Sequence, residues 1–254
     1  MAAAPAANIA NKSFLEVIKE RRTIYALSKS SPISDERIVE LVNTVVKHSP
    51  SSFNSQSSRA VVLLGKHHDK LWQFAKDQIK AIVPADAWPA SEQRLNGFQG
   101  AYGTVLLFED KETVEGLQKA VPLYAQHVSP FPPPFRAIKS GLRLRTSLIL
   151  DFGPHDLPQF PTWSEHAHGI LVQNLWAALC AEGVGANLQH YNPLLHSANP
   201  VPLHFRFQID ADIQKEWDIP ATWILRAQLV IGTPAAPAGE KEFKPLEERV
   251  KVFQ

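Results

Sequence analysis

The chain has 254 residues, 44% of them hydrophobic, and a formal net charge of +1. That length can bury the core of one large α/β or α+β domain, and the near-neutral charge argues against a nucleic-acid binder, which usually carries a basic excess. The single cysteine, Cys180, excludes an intramolecular disulfide framework and any cysteine-based zinc site.

Residues 1–10, MAAAPAANIA, have no basic region and no long apolar run. They read as a frayed tail rather than a signal peptide. No apolar run approaches the ~20 residues that span a bilayer. The expectation is a cytoplasmic protein, compatible with nuclear presence, with no membrane insertion.

Residues 14–22, FLEVIKERR, form a short helix with Phe14, Leu15, Val17 and Ile18 turned inward. Arg21 and Arg22 at its end complement the helix dipole. With Thr23 they would also suit a phosphate. A second helix runs from Asp35 to His48, capped by Ser34, with Ile33 and Ile38 at hydrophobic-staple spacing. Its inner stripe is Ile38, Leu41, Val42 and Val45. The polar loop at 48–59 then leads straight into AVVLL at 60–64, a buried-looking strand. Turn chemistry accounts for such a loop, and its position at a strand entrance would equally let it touch a ligand.

Another helix covers 68–83, with Leu71, Trp72, Ala75 and Ile79 as its apolar face. His67 and His68 lack the i,i+4 spacing and carboxylate partners of a helical metal site, so they read as surface histidines and no metal is expected. GTVLLF at 103–108 is a second buried strand, and Glu109 and Asp110 after it read as a helix start. Three prolines at 132–134, between Phe131 and Phe135, make a stiff aromatic loop. Arg143 and Arg145 fit either an irregular helix or one face of a strand.

SEHAHGILVQNLWAALCAEGVGANLQHYNP, residues 164–193, is the centre of the chain. Ser164 would cap a long buried helix whose Ala167, Ile170, Leu171, Leu175, Ala178 and Leu179 recur at spacings of three and four. Gly183 and Gly185 end it in a loop that brings Asn187, Leu188, Gln189, His190 and Tyr191 within reach of a flat, polar-edged ligand. Cys180, in that apolar helix, reads as a small core side chain rather than a reactive thiol. Residues 210–217 are helical and 221–231, ATWILRAQLVI, are a strand. The tail ends in a charged stretch containing Arg249 and Lys251. No repeat is present, and GVG at 183–185 lacks the preceding strand of a dinucleotide fingerprint. Strands this widely spaced suggest a mixed sheet covered by helices rather than a βαβ array.

ERRTIYAL at 20–27, HSPSSFNSQSSRAVVL at 48–63, HGILVQNLWAALCAEGVGANLQHYNP at 168–193, LRAQLVIGTP at 225–234 and KEFKPLEERVKVF at 241–253 together resemble the FMN-dependent nitroreductase family. They are most similar to its short fungal and bacterial branch linked to fatty-acid repression. The resemblance implies one α+β sandwich domain over 1–254, with a mixed, mostly antiparallel sheet flanked by helices. It also implies an intertwined homodimer, with the extension at 235–254 packing on the partner subunit and tightly bound FMN at the interface. Arg21, Arg22 and Thr23 would then match the basic–basic–hydroxyl group that contacts phosphate, ribityl and pyrimidine. Ser52, Asn54 and Gln56 would match the polar loop near the ring or ribityl chain. Leu188, Gln189, His190 and Tyr191 would direct backbone N–H groups at flavin N5 and O4, and Arg249 would match a C-terminal phosphate ligand. Tyr25 stands where larger members have a cation, and Glu247 and Glu248 stand where they often have a second.

The implied reaction passes electrons from NADH or NADPH through flavin N5 to a nitroaromatic or quinone-type acceptor in a ping-pong cycle. The cofactor carries the chemistry and no side chain is required as acid or base. A backbone contact explains the place of His190 as well as an acid role would. A flavin-binding regulatory or stress-response protein in lipid or redox signalling, with little turnover, is the alternative from another class.

Overall fold

The computed structural model describes residues 12–121, 159–191 and 209–254. The proline loop, Arg143, Arg145, the N-terminal tail and the VPLHFRFQ stretch at 201–208 lie outside the described residues.

Helix α1 (Phe14–Glu20) starts at a capping box, in which Ser13 accepts the Glu16 N–H and Glu16 accepts the Ser13 N–H. Only Val17 of the four apolar residues expected to face inward is buried. Phe14, Leu15 and Ile18 are 64%, 66% and 41% exposed. Helix α1 packs on α6, and Val17 is the α1 residue that this contact buries. Then come β1 (Leu27–Ser28) and α2 (Asp35–His48). Ser34 accepts the Arg37 N–H as expected, and Ile38 and Val42 are buried.

Next are β2 (Ser58–Leu64), α3 (Lys66–Ile82), α4 (Trp88–Gln99) and β3 (Gly103–Asp110). The chain continues with α5 (Lys111–Ala120), α6 (Gln159–Ala181), β4 (Gly185–Gln189), α7 (Ile209–Trp217) and β5 (Trp223–Pro234). The named strands all pair antiparallel: β3 lies between β2 and β5, and β5 also carries β4 and β1. A parallel bridge from Thr23 to Ala186 makes the pairing mixed.

Strand alternation divides the core into two layers. Val105 and Leu107 of β3 pack with Ile38, Val42, Leu171, Leu175 and Leu179 on the α2/α6 side. Leu106 and Phe108 pack with Leu71, Trp72, Leu95, Phe98, Ile209 and Ile213 on the α3/α4/α7 side. The result is the helix-flanked α+β sandwich that the resemblance implied. Opposite β3, a register shift makes Arg226 the extra residue of a bulge, and its guanidinium reaches Glu165 of α6 at 3.0 Å.

Four local expectations are corrected. His68 is fully buried, with Nδ1 2.9 Å from Thr104 Oγ1, which also accepts the Trp72 indole N–H at 3.0 Å. His67 does lie at the surface edge, its ring accepting the Trp217 indole N–H at 3.1 Å. Ser164 does not cap α6, which is already helical at Gln159; its hydroxyl donates to Glu109 instead. Ile170, placed on the buried stripe from its spacing, is 42% exposed. Glu109 belongs to β3, whereas Asp110 does cap α5 by accepting the Glu112 N–H at 3.2 Å.

Gly183 ends α6 with φ +76°, while the Val184 N–H reaches back to Leu179 O at 2.9 Å. Strand β4, not a loop, comes directly after this turn. At Gly232 a Cβ would stand 2.6 Å from Ser28 O, so the close approach of β1 to β5 requires glycine there. Residues 235–254 carry no helix or strand and are largely exposed. Among the described residues no helix is long and apolar enough to cross a membrane.

Candidate cofactor-binding site

Strand β4 separates two hollows. One, of about 460 Å³, is walled by Arg21, Thr23, Leu188, His190 and the α6 residues Glu165, His168, Gly169, Val172, Gln173 and Trp176. The other, of about 550 Å³, is walled by Tyr25, Gln93, Arg94, Gly97, Phe98 and Gln189. Both volumes fall within the ~300–1,000 Å³ typical of small-molecule sites. The period of two along β4 sends Leu188 and His190 to the first and Gln189 to the second.

The same period separates the two arginines, because the chain is extended after α1. Arg21 and Thr23 face the first hollow, and the Arg21 guanidinium lies 4.4 Å above the Trp176 ring, a cation–π contact that holds it at the wall. Arg22 turns away. Its Nη2 donates to Gly239 O at 2.6 Å, and it lines a smaller hollow with Glu20, Cys180 and Gly183. Cys180, expected in the core, is only partly buried because it faces this hollow, and desolvation pushes its thiol pKa up.

The end of β4 is pinned by side chains. Asn187 donates to Ile24 O at 2.9 Å, and Gln189 donates to Asn187 Oδ1 at 3.0 Å. The Gln228 amide holds Tyr191 from both sides, accepting its N–H at 2.7 Å and donating to its carbonyl at 3.4 Å. The Tyr191 N–H therefore already has a partner within the chain. Its ring packs edge-on against Trp72 at 5.6 Å and Phe98 at 5.9 Å. Burial pushes the Tyr191 phenol up. Burial, with a smaller push from His168, holds the His190 imidazole below its ordinary range.

Ser52, Asn54 and Gln56 are not among the residues walling either hollow. They sit on a turn in which Phe53, Asn54 and Gln56 adopt φ of 53°, 53° and 51°. The Phe53 ring packs on Phe160 at 5.8 Å, tying that turn to the start of α6. Arg249 lies in the exposed tail, its N–H bonded to Leu246 O at 2.9 Å. One chain thus assembles Arg21, Thr23, Leu188 and His190, places Gln189 next door, and leaves Ser52, Asn54, Gln56 and Arg249 outside.

Sequence reasoning missed the wall contributed by α6. Its signal was a stripe on an otherwise apolar helix: Glu165, His168, Val172 and Trp176 recur at spacings of three and four. Gln93 and Arg94 were missed along with the whole of α4.

Behind the wall lies a buried carboxylate. Glu109 accepts hydroxyl hydrogen bonds from Ser57 and Ser164, each at 2.6 Å, and from Ser58, while His168 Nδ1 stands 3.7 Å from its Oε1. Burial opposes its ionisation, but the His168 ring and the three hydroxyls outweigh that and hold the carboxyl below the usual range.

Comparison with known proteins agrees with this architecture. Residues 18–130 match the Nitroreductase family model. The Saccharomyces cerevisiae protein HBN1 is 32% identical over 244 residues, covering 95% of this chain and 97% of that protein. The nitroreductase FRM2 of the same yeast is 29% identical, covering 91% and 93%. The nitroreductase CinD from Lactococcus lactis, solved in complex with chloramphenicol, superposes with a TM-score of 0.71 at 36% identity, covering 95% of this chain and all of CinD. Another structure of CinD holds 4-nitrophenol. The chain belongs to the nitroreductase family.

Proposed function

We propose that the protein is a homodimeric, cytoplasmic flavin oxidoreductase that uses FMN to pass electrons from NADH or NADPH to nitroaromatic or quinone-type acceptors. FMN, when bound, supplies the two-electron chemistry. The carrying observation is the first hollow: Arg21 held over Trp176, beside Thr23 and the edge of β4. The Arg21 cation and the Thr23 hydroxyl in one hollow suit an anionic phosphate or an electron-rich ring edge. Leu188 and Trp176 offer apolar surface to a flat ring, and the second hollow, on the other side of β4, carries the amides of Gln189 and Gln93 and the Arg94 guanidinium. CinD, to which the chain is similar, is solved with two aromatic ligands, chloramphenicol and 4-nitrophenol, which supports this reading.

A homodimer gives the remaining expected ligands a place. Ser52, Asn54, Gln56 and Arg249 lie outside both hollows of one chain, so they would act across the interface, with 235–254 laid on the partner subunit. Flavin content per protomer tests the assignment. Arg21→Ala should lower it several-fold, and Arg22→Ala, whose guanidinium is engaged by Gly239, should lower it less. Undiminished flavin in Arg21→Ala would remove Arg21 from the site.

A further inference from the structure

We propose that His168 is the proton donor of the first hollow, oriented by the buried carboxylate of Glu109. This rests on that hollow being the flavin site.

His168 is only 7% exposed and forms part of the hollow's wall. Its Nδ1 is fully buried, makes no hydrogen bond, and faces Glu109 Oε1 at 3.7 Å. A small rotation of the ring closes that gap to hydrogen-bond length. With Nδ1 turned inward, Nε2 is the nitrogen left for the hollow. Glu109 cannot swing away, because Ser57 just before β2, Ser58 at its start and Ser164 of α6 hold it. Those hydroxyls also stabilise it as a carboxylate, the form that accepts Nδ1–H and steadies a positive imidazolium. A core that only needed filling would carry an apolar residue at 168, without a buried charge behind it.

The other charged groups facing the ring are Arg21 at the end of α1, His190 after β4, and Glu165 one helical turn earlier. Glu165 is tied to Arg226 of β5 at 3.0 Å, which leaves Glu109 as the carboxylate nearest the His168 ring.

A quinone becomes a hydroquinone by gaining two electrons and two protons. FMN, when bound and reduced, would supply both electrons and one proton. The second proton passes from His168 Nε2 to the acceptor's carbonyl oxygen, and the neutral ring recovers a proton from solvent at the open side of the hollow. Glu109 is a positioning residue and keeps its charge throughout.

The test compares a quinone, which must be protonated, with ferricyanide, which takes electrons alone. Reoxidation of the pre-reduced flavoprotein is followed in the wild type, His168→Gln and Glu109→Gln. The ratio of quinone rate to ferricyanide rate should fall at least ~10-fold in His168→Gln, at the low end for loss of a general acid, and by less in Glu109→Gln. General damage to the fold or loss of flavin slows both acceptors and leaves the ratio alone. Independently of flavin, ring ¹⁵N signals of the wild-type apoprotein should show the His168 proton on Nδ1 and its loss from that position in Glu109→Gln. An unchanged rate ratio, or a neutral ring carrying its proton on Nε2, would overturn the proposal. A chain that binds no flavin but shows the Nδ1 proton would instead overturn the reading of the hollow.

Discussion

At the scale of single residues, the histidines show what adjacency in sequence conceals. His67 and His68 are neighbours, yet successive residues on a helix point about 100° apart, so one meets Trp217 at the surface and the other Thr104 in the core. Burial lowers the His68 pKa to about 4. A histidine depressed in the folded state stays neutral there, while the unfolded chain takes up a proton below about 6.5. The stabilisation is therefore complete above pH 6.5 and is lost as pH falls towards 4, by up to about 3 kcal/mol. Asp210, raised by burial to about 6, works in the opposite direction over the lower part of that window. Urea midpoints of wild type and His68→Leu, measured between pH 7 and 4, should show a shallower acid loss in the variant. Parallel curves would refute the linkage. Gly183 gives a second residue-scale prediction: at φ +76° an alanine should cost about 1 kcal/mol, measured as a lowered denaturation midpoint.

At the scale of elements, strong periodicity was legible and weak periodicity was not. GTVLLF lies within β3, ATWILRAQLVI overlaps β5 from Trp223 to Ile231, and Ser34 with the Ile38/Val42 stripe marks α2. Helix α4 left no such mark, because no side chain caps its start, Gly97 weakens its last turn and only Leu95 and Phe98 are buried. Strand β4 was hidden for another reason. GANLQ is short and polar, and it becomes a strand through its ladder to β5 and the bridge at Thr23 rather than through propensity. The walls of the first hollow followed the same division: Arg21, Thr23, Leu188 and His190 came from segments that carry the resemblance, whereas the α6 wall needed the helix phase, which reading Ser164 as a cap had obscured. Leu171 of α6 is 1% exposed and packs with Leu107 and Leu229 across the sheet. Leu171→Ala should cost about 2–5 kcal/mol in chemical denaturation. The exposed Ile170→Ala should cost well under half of that in the isolated chain.

For the whole molecule, the exposed apolar groups gather on particular segments. Phe14, Leu15 and Ile18 of α1 are exposed, as are Phe53 and the tail residues Phe243, Leu246, Val250, Val252 and Phe253. An apolar set of this extent on one chain is the expected mark of an interface, and it includes the turn and tail whose predicted cofactor ligands lie outside both hollows. Sedimentation should give a dimer of about twice 28.3 kDa. Deleting 235–254 should shift it towards monomer and lower flavin content together; a truncated protein that keeps both would show that the tail has neither role.

The central claim is that this chain holds a flavin that cycles. The most direct measurement is the visible absorption spectrum of the purified protein, followed by anaerobic addition of NADH or NADPH and then an acceptor. The account predicts flavin bands near ~370 and ~450 nm that bleach with the nicotinamide and return with a nitroaromatic or a quinone. A colourless protein that also fails to take up added FMN would contradict it.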